Sequence, residues 1–187
     1  MSDPQNPNVP TAPGLRFERR TPQGDTSERD VCGHCGHICY VNPKIVVGSV
    51  AIHAGRILLC RRAIEPRSGL WTLPAGYLEL HESPEDGARR EAREEACAEI
   101  AIERLLAVYS LPHISQVQLI YRASLPDPVH AAGTESMETK LFEWQDIPWE
   151  DLAFPSVQWA LGHYRQSRIQ ADFAPFSNPQ GAGNRVW

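Results

Sequence analysis

Gly76 to Ala98 reads GYLELHESPEDGARREAREEACA, and no other stretch of the chain is as dense in chemistry. Ser83-Pro84 marks a helix start: Ser caps free amides, Pro fits the first helical position, and Asp86 stands where a capping-box acid would. At about 100° per residue, Glu91, Glu94 and Glu95 share one helix face with Gly87 and Ala88. Arg89, Arg90 and Arg93 are expected to point elsewhere, leaving the acids with no cation between them. Like charges crowded in this way cost stability. A hard divalent cation removes that cost and keeps waters for substrate phosphates. Gly87 and Ala88 are expected to leave room for those phosphates. Taken alone, the helix reads equally well as a solvated surface helix laced by the pairs Glu85–Arg89 and Arg90–Glu94.

The preceding loop shifts that balance. Gly76, Glu82, Arg90, Glu91, Glu94 and Glu95 stand in the register G-x5-E-x7-R-E-U-x-E-E-x-G-U, with U aliphatic, and so resemble the Nudix box. Cys97 stands where Gly is usual, and Ala92 and Ala98 are small for the aliphatic positions. The resemblance implies that Glu94 and Glu95 bind catalytic Mg²⁺ or Mn²⁺ and that Glu91 ligates metal or orients the attacking water. It implies a further ligand from the Gly76 carbonyl, and support of the site by Glu82 through Arg90 or outer-shell water. A further carboxylate from the Glu135–Glu138 region is a candidate addition, from either Glu135 or Glu138.

Composition bounds the rest. The 187 residues suit one domain plus extras, with 42% apolar and 22% charged residues as in ordinary globular proteins. A net charge of −5 gives no electrostatic reason to expect nucleic acid or an anionic membrane as partner. No apolar run approaches the ~20 residues of a membrane helix. The N-terminal MSDPQNPNVPTAPG lacks the basic and apolar regions of a secretory signal. Five scattered cysteines fit a reducing compartment, so a cytoplasmic protein is expected.

Along the chain, residues 1–29 are expected to be a flexible N-terminal segment, with a short strand at 15–19 and a turn at 22–25. Residues 30–43 carry one C-x2-C knuckle, Cys32 and Cys35, whose thiolates suit Zn²⁺ by spacing. No cysteine lies upstream to supply a second pair, so zinc is doubtful there and a purely structural turn is the other reading. Residues 44–169 form the expected catalytic domain. Strands are expected at 45–52, 56–62, 105–109, 117–123 and 140–144, and a second helix at 154–167 with Val157, Ala160, Leu161 and Tyr164 on one face. Residues 170–187 are expected to be a loose C-terminal tail. Cys60 and Trp71 read as core residues. Arg62, His113 and Gln116 are candidate substrate-binding residues.

This order of strands, acidic helix, strands and helix indicates α+β layers with a mixed sheet. The Nudix fold, an α/β/α sandwich, is compatible with it. The segments NPKIVVG, LLCRRAIEP, GLWTLPAGY, LPHISQV and LFEWQDIPW resemble the zinc-ribbon-bearing Nudix hydrolases that include FAD and ADP-ribose pyrophosphatases. That resemblance implies metal-dependent cleavage of the pyrophosphate bond in a nucleoside diphosphate linked to another moiety, and a homodimer as the candidate assembly. A Nudix-like sensor that binds nucleotide without hydrolysis is the alternative. Such sensors usually lose acidic box residues, and here every expected glutamate is present.

Overall fold

The computed structural model describes residues 16–181. The chain divides at residue 42 into two units, and the expectation for the first dozen residues lies outside the described part.

The first unit is a three-stranded antiparallel sheet of β1 (Phe17–Arg20), β2 (Arg29–Cys32) and β3 (Ile38–Cys39). Phe17–Arg20, within the segment expected to be flexible, is thus a paired strand. The β1–β2 turn closes through the Asp25 amide on the Pro22 carbonyl, 3.1 Å, while the Asp25 carboxylate accepts from Thr26 and Ser27 amides. In the C-x2-C turn, the Gly36 amide donates to the Cys32 carbonyl at 2.9 Å. Cys32 is buried, Cys35 is exposed, and neither is in a disulfide.

The second unit is built on β4 (Lys44–His53) and β5 (Arg56–Arg62), the β-branched run and its hairpin partner. Then come β6 (Trp71–Thr72), β7 (Ala75–Tyr77), α1 (Pro84–Ala96), β8 (Ala101–Leu111), β9 (Gln116–Ser124), β10 (Ser136–Phe142) and α2 (Pro155–Ser167). The main sheet runs β10-β5-β4-β9-β8, with β6 on β5 and β7 on β4. It is mixed because β4 and β9 are parallel and the other pairs antiparallel.

Strand alternation sorts the core into two layers. Val47, Ala51, Leu58, Tyr121 and Ala123 face α1 and meet Ala88, Ala92 and Ala96. Val50, Ile57, Leu59, Tyr109 and Ile120 face the other way and meet Val157, Ala160 and Leu161 of α2. The fold is thus α+β, with one helix on each face of a mixed sheet. Trp71 sits edge-on to Phe142 at 4.9 Å in the α2 layer.

The structure corrects several expectations. Gly87 and Ala88 leave no room for phosphate: a Cβ on Gly87 would lie 2.9 Å from Val47 Cγ2, and Ala88 is fully buried against the sheet. Small residues here let α1 lie close to β4. The strand expected at 140–144 runs from Ser136 to Phe142, with a register shift between Ser136 and Glu138, and Trp144 begins a short 3-10 turn. Residues 171–181 are docked rather than loose: the Val108 and Phe176 amides exchange bonds with Phe176 and Leu106 carbonyls, both 2.9 Å, and Phe173 and Phe176 pack on the core. Among the described residues, no helix is long and apolar enough to cross a membrane.

Candidate active site

Ser83 caps α1 as its sequence implies. Its hydroxyl accepts from the Asp86 amide at 3.2 Å and donates to the Asp86 carboxylate at 2.6 Å. The far end closes on Cys97, whose φ of 48° is left-handed, the conformation that Gly adopts most easily. Between these caps the helix carries the acids to the edge of β7.

Arg90 does not point away from them. Its guanidinium donates to both Glu82 oxygens at 3.1 and 2.8 Å, to the Tyr77 carbonyl at 2.9 Å, to Glu91 at 2.6 Å and to Glu94 at 2.9 Å. A helical wheel places only Cβ directions. A long, forked side chain can fold back over adjacent positions, and acids otherwise in mutual repulsion give it reason to. This set of bonds pulls the Glu82 carboxyl below its ordinary range, chiefly through the Arg90 bonds.

The remaining acids differ in surroundings. Glu94 is exposed, whereas Glu91 and Glu95 are only 7% and 6% exposed. Burial raises Glu91 despite the opposing pull of Arg90. Burial also raises Glu95, to about 8, although it accepts a bond from the Ala75 amide at 3.0 Å. Gly76 lies against the Glu91 carboxylate so closely that a Cβ there would collide with it. Any side chain at this position would have to displace the Glu91 carboxylate.

These groups open onto a cleft of about 820 Å³, within the range of sites for nucleotide-sized ligands. Glu91, Glu94, Glu95, Arg90 and Gly76 line it, as do three further sequence candidates, Arg62, Glu135 and Gln116. Arg62 projects over the Phe154 ring at 5.2 Å and donates to the Pro66 carbonyl. Two other candidates lie elsewhere. His113 is exposed on the 3-10 turn Pro112–Ile114 and does not line the cleft. Glu138 pairs with Arg61 at 3.8 Å, because the strand turns it to the side opposite Arg62. Sequence reading missed Gln118 and Phe154 as cleft residues. Gln118 was legible: strand alternation puts it beside Gln116. Phe154 was not, since only the tertiary fold brings the start of α2 to this wall.

The donor set suits a hard divalent cation: carboxylates from Glu91, Glu94 and Glu95 with the Gly76 carbonyl nearby. Two of those carboxyls are held towards neutrality by burial, a cost that a bound cation reverses. Among the described residues, no three acidic, His or Cys side chains yet converge on one point, and Arg90 holds two of these acids. In the N-terminal unit the C-x2-C turn offers Cys32 and Cys35, with His34, His37 and Cys39 close by in sequence, but among the described residues no three such side chains gather on one point, fewer than the four ligands zinc takes.

A mixed sheet between two helices, with acids and a contact glycine at the mouth of one cleft, defines a known class. The NUDIX domain profile matches residues 42–166, and the Nudix N-terminal (zinc-ribbon) profile matches residues 14–41. The chain belongs to the Nudix hydrolase family. A NUDIX hydrolase from Nitrosomonas europaea, known by crystal structure, is 44% identical with a TM-score of 0.82, covering 90% of this chain and 97% of that one. An ADP-ribose pyrophosphatase of Methanocaldococcus jannaschii is 28% identical over 121 residues, 62% of this chain and 69% of its own. A MutT-like protein of Streptomyces ambofaciens is 37% identical over 91 residues, 49% of this chain. The chain spans 57% of that relative's length.

Proposed function

We propose that this protein hydrolyses the pyrophosphate bridge of a nucleoside diphosphate joined to a second moiety, with ADP-ribose and FAD as candidate compounds and Mg²⁺ or Mn²⁺ as cofactor. The observation that carries this is the arrangement of Glu91, Glu94, Glu95 and Gly76 at the mouth of one cleft. The similarity to an ADP-ribose pyrophosphatase supports the choice of compounds.

A bound divalent ion supplies charge neutralisation of the bridge oxygens and acidifies a water. The protein's part is to hold donors ready. Arg90 fixes Glu82, Glu91 and Glu94 relative to one another. The Ala75 amide anchors Glu95, and the bare Cα of Gly76 lets β7 approach the Glu91 carboxylate. Arg62 lies on the same cleft and acts electrostatically on Glu95, where it can meet phosphate oxygens.

The test is product release from FAD, ADP-ribose, NADH, diadenosine polyphosphates and nucleoside triphosphates, with Mg²⁺ and with Mn²⁺. The expected result is turnover of one or two diphosphate-linked compounds. Glu94→Gln is expected to lower it by about 10²–10³-fold while the fold survives. Tight binding of one compound with no turnover of any would favour the non-catalytic sensor instead.

A further inference from the structure

One wall of the cleft is chemically unlike the rest. Gln116 and Gln118 occupy alternate positions on β9, so both side chains lie on its cleft face, roughly 7 Å apart along the strand. Register places Val46 beside Gln118 and Tyr77 beside Val46, which brings the Tyr77 side chain to the same wall. Gln116 Nε2 donates to the Tyr77 hydroxyl at 3.3 Å, and Gln118 Nε2 donates to Gln116 Oε1 at 3.5 Å. Among the described residues these bonds are long and few. The Gln118 amide has one side-chain partner among the described residues, Gln116, which leaves its carbonyl oxygen and one N–H for a ligand while it lies half-buried in the cleft.

The surroundings of these amides narrow the ligand. Tyr77 and Ile114 line the cleft with 47% and 49% of their surface exposed, and Leu111 and Val46 line it beside them. A ribose ring offers little flat apolar surface to cover such groups. A nucleobase does, and its edge presents donors and acceptors to a carboxamide.

We propose that Gln118, oriented by Gln116 and Tyr77, reads the edge of the substrate's nucleobase, with Ile114 and Tyr77 against its faces. This rests on the pyrophosphohydrolase reading only for the position of the diphosphate. Tyr77 follows Gly76, which touches Glu91, so the wall begins one residue from the acids. A base held there hangs from a phosphate chain held at α1.

Binding measured by calorimetry on the intact protein tests this apart from turnover, using AMP and ribose 5-phosphate as probes. The two share a phosphate and a sugar and differ by the base. Wild type is expected to bind AMP more tightly. Gln118→Leu is expected to weaken AMP by about 5- to 100-fold, the usual worth of a lost bidentate base contact, and to leave ribose 5-phosphate unchanged. Gln118→Met, which keeps the side-chain length without hydrogen-bonding atoms and adds no charge, covers the case that Leu disturbs the strand, and the same selective loss is expected. Equal weakening of both probes, or none, overturns the proposal, as does wild type binding AMP no better than ribose 5-phosphate. Selective loss for AMP in a protein that hydrolyses none of the panel overturns the catalytic reading and leaves the base wall standing.

Discussion

Glu95 lies beneath the end of α1 with a single amide, that of Ala75, to stabilise its charge. Its carboxyl is pushed up to about 8, first by burial and then by Glu91, with Arg62 opposing. A group raised in the folded state contributes stability that is complete below its unfolded value and is lost as pH rises through the folded one. In chelator, melting temperature should therefore fall between about pH 5 and pH 9. Glu95→Gln keeps an acceptor for the Ala75 amide and removes the charge. It should flatten that slope, raise the melting temperature at about pH 8, and cut turnover by about 10²-fold or more. Thermal melts of both proteins check it, and a variant less stable than wild type at high pH would refute it. The box residues were legible as a set because their spacing is chemical. The place of Arg90 was not, because a wheel is blind to how a flexible side chain folds back.

At the scale of elements, α1 is held at its C-terminal end by contacts that lie far away in sequence. The loop before β10 donates from the Ala131 and Gly133 amides to the Ala96 and Glu95 carbonyls, at 2.9 and 3.1 Å. These satisfy carbonyls that a helix end leaves open. Gly133 approaches so closely that a Cβ would collide with the Glu94 carbonyl. Gly133→Ala should therefore cost about 1–3 kcal/mol of stability, as overpacking against backbone does. It should also lower turnover, because the same loop leads to Glu135 in the cleft. Denaturant unfolding and a rate assay on one preparation check both, and unchanged values would show that the loop does not buttress the helix. Strand periods made β4, β5 and β9 readable, and the Ser-Pro start made α1 readable. The buttressing loop carries no such period, and its role exists only where distant segments meet.

At the scale of the whole molecule, the C-terminal segment completes the layer under α2. Composition made residues 171–181 look loose, since their apolar residues are few. Yet Phe173 and Phe176 fall where β8 and α2 leave a gap, and the Asn178 side chain both accepts from and donates to the backbone of Ser110, at 2.9 and 2.7 Å. Phe176 stacks on His163 at 4.4 Å, and His163 Nδ1 lies 2.7 Å from the Tyr109 hydroxyl. Burial holds the His163 imidazole below its ordinary value, so the folded protein keeps it neutral. Here the sign is opposite to that of Glu95. The unfolded chain takes up the proton first, at about pH 6.5, so stability falls as pH drops below that value towards the lowered one. His163→Gln should be less stable than wild type near pH 8, having lost its stacking on Phe176, and the gap should narrow towards about pH 5. A gap that stays constant across melts at each pH would show that His163 does not titrate on unfolding. With Glu95 drawing stability away from the alkaline side and His163 from the acid side, the metal-free protein should be most stable between them. If Glu95 holds the cation as proposed, saturating Mg²⁺ should lift the alkaline limb alone, because that cation would act on Glu95 and leave the His163 layer untouched.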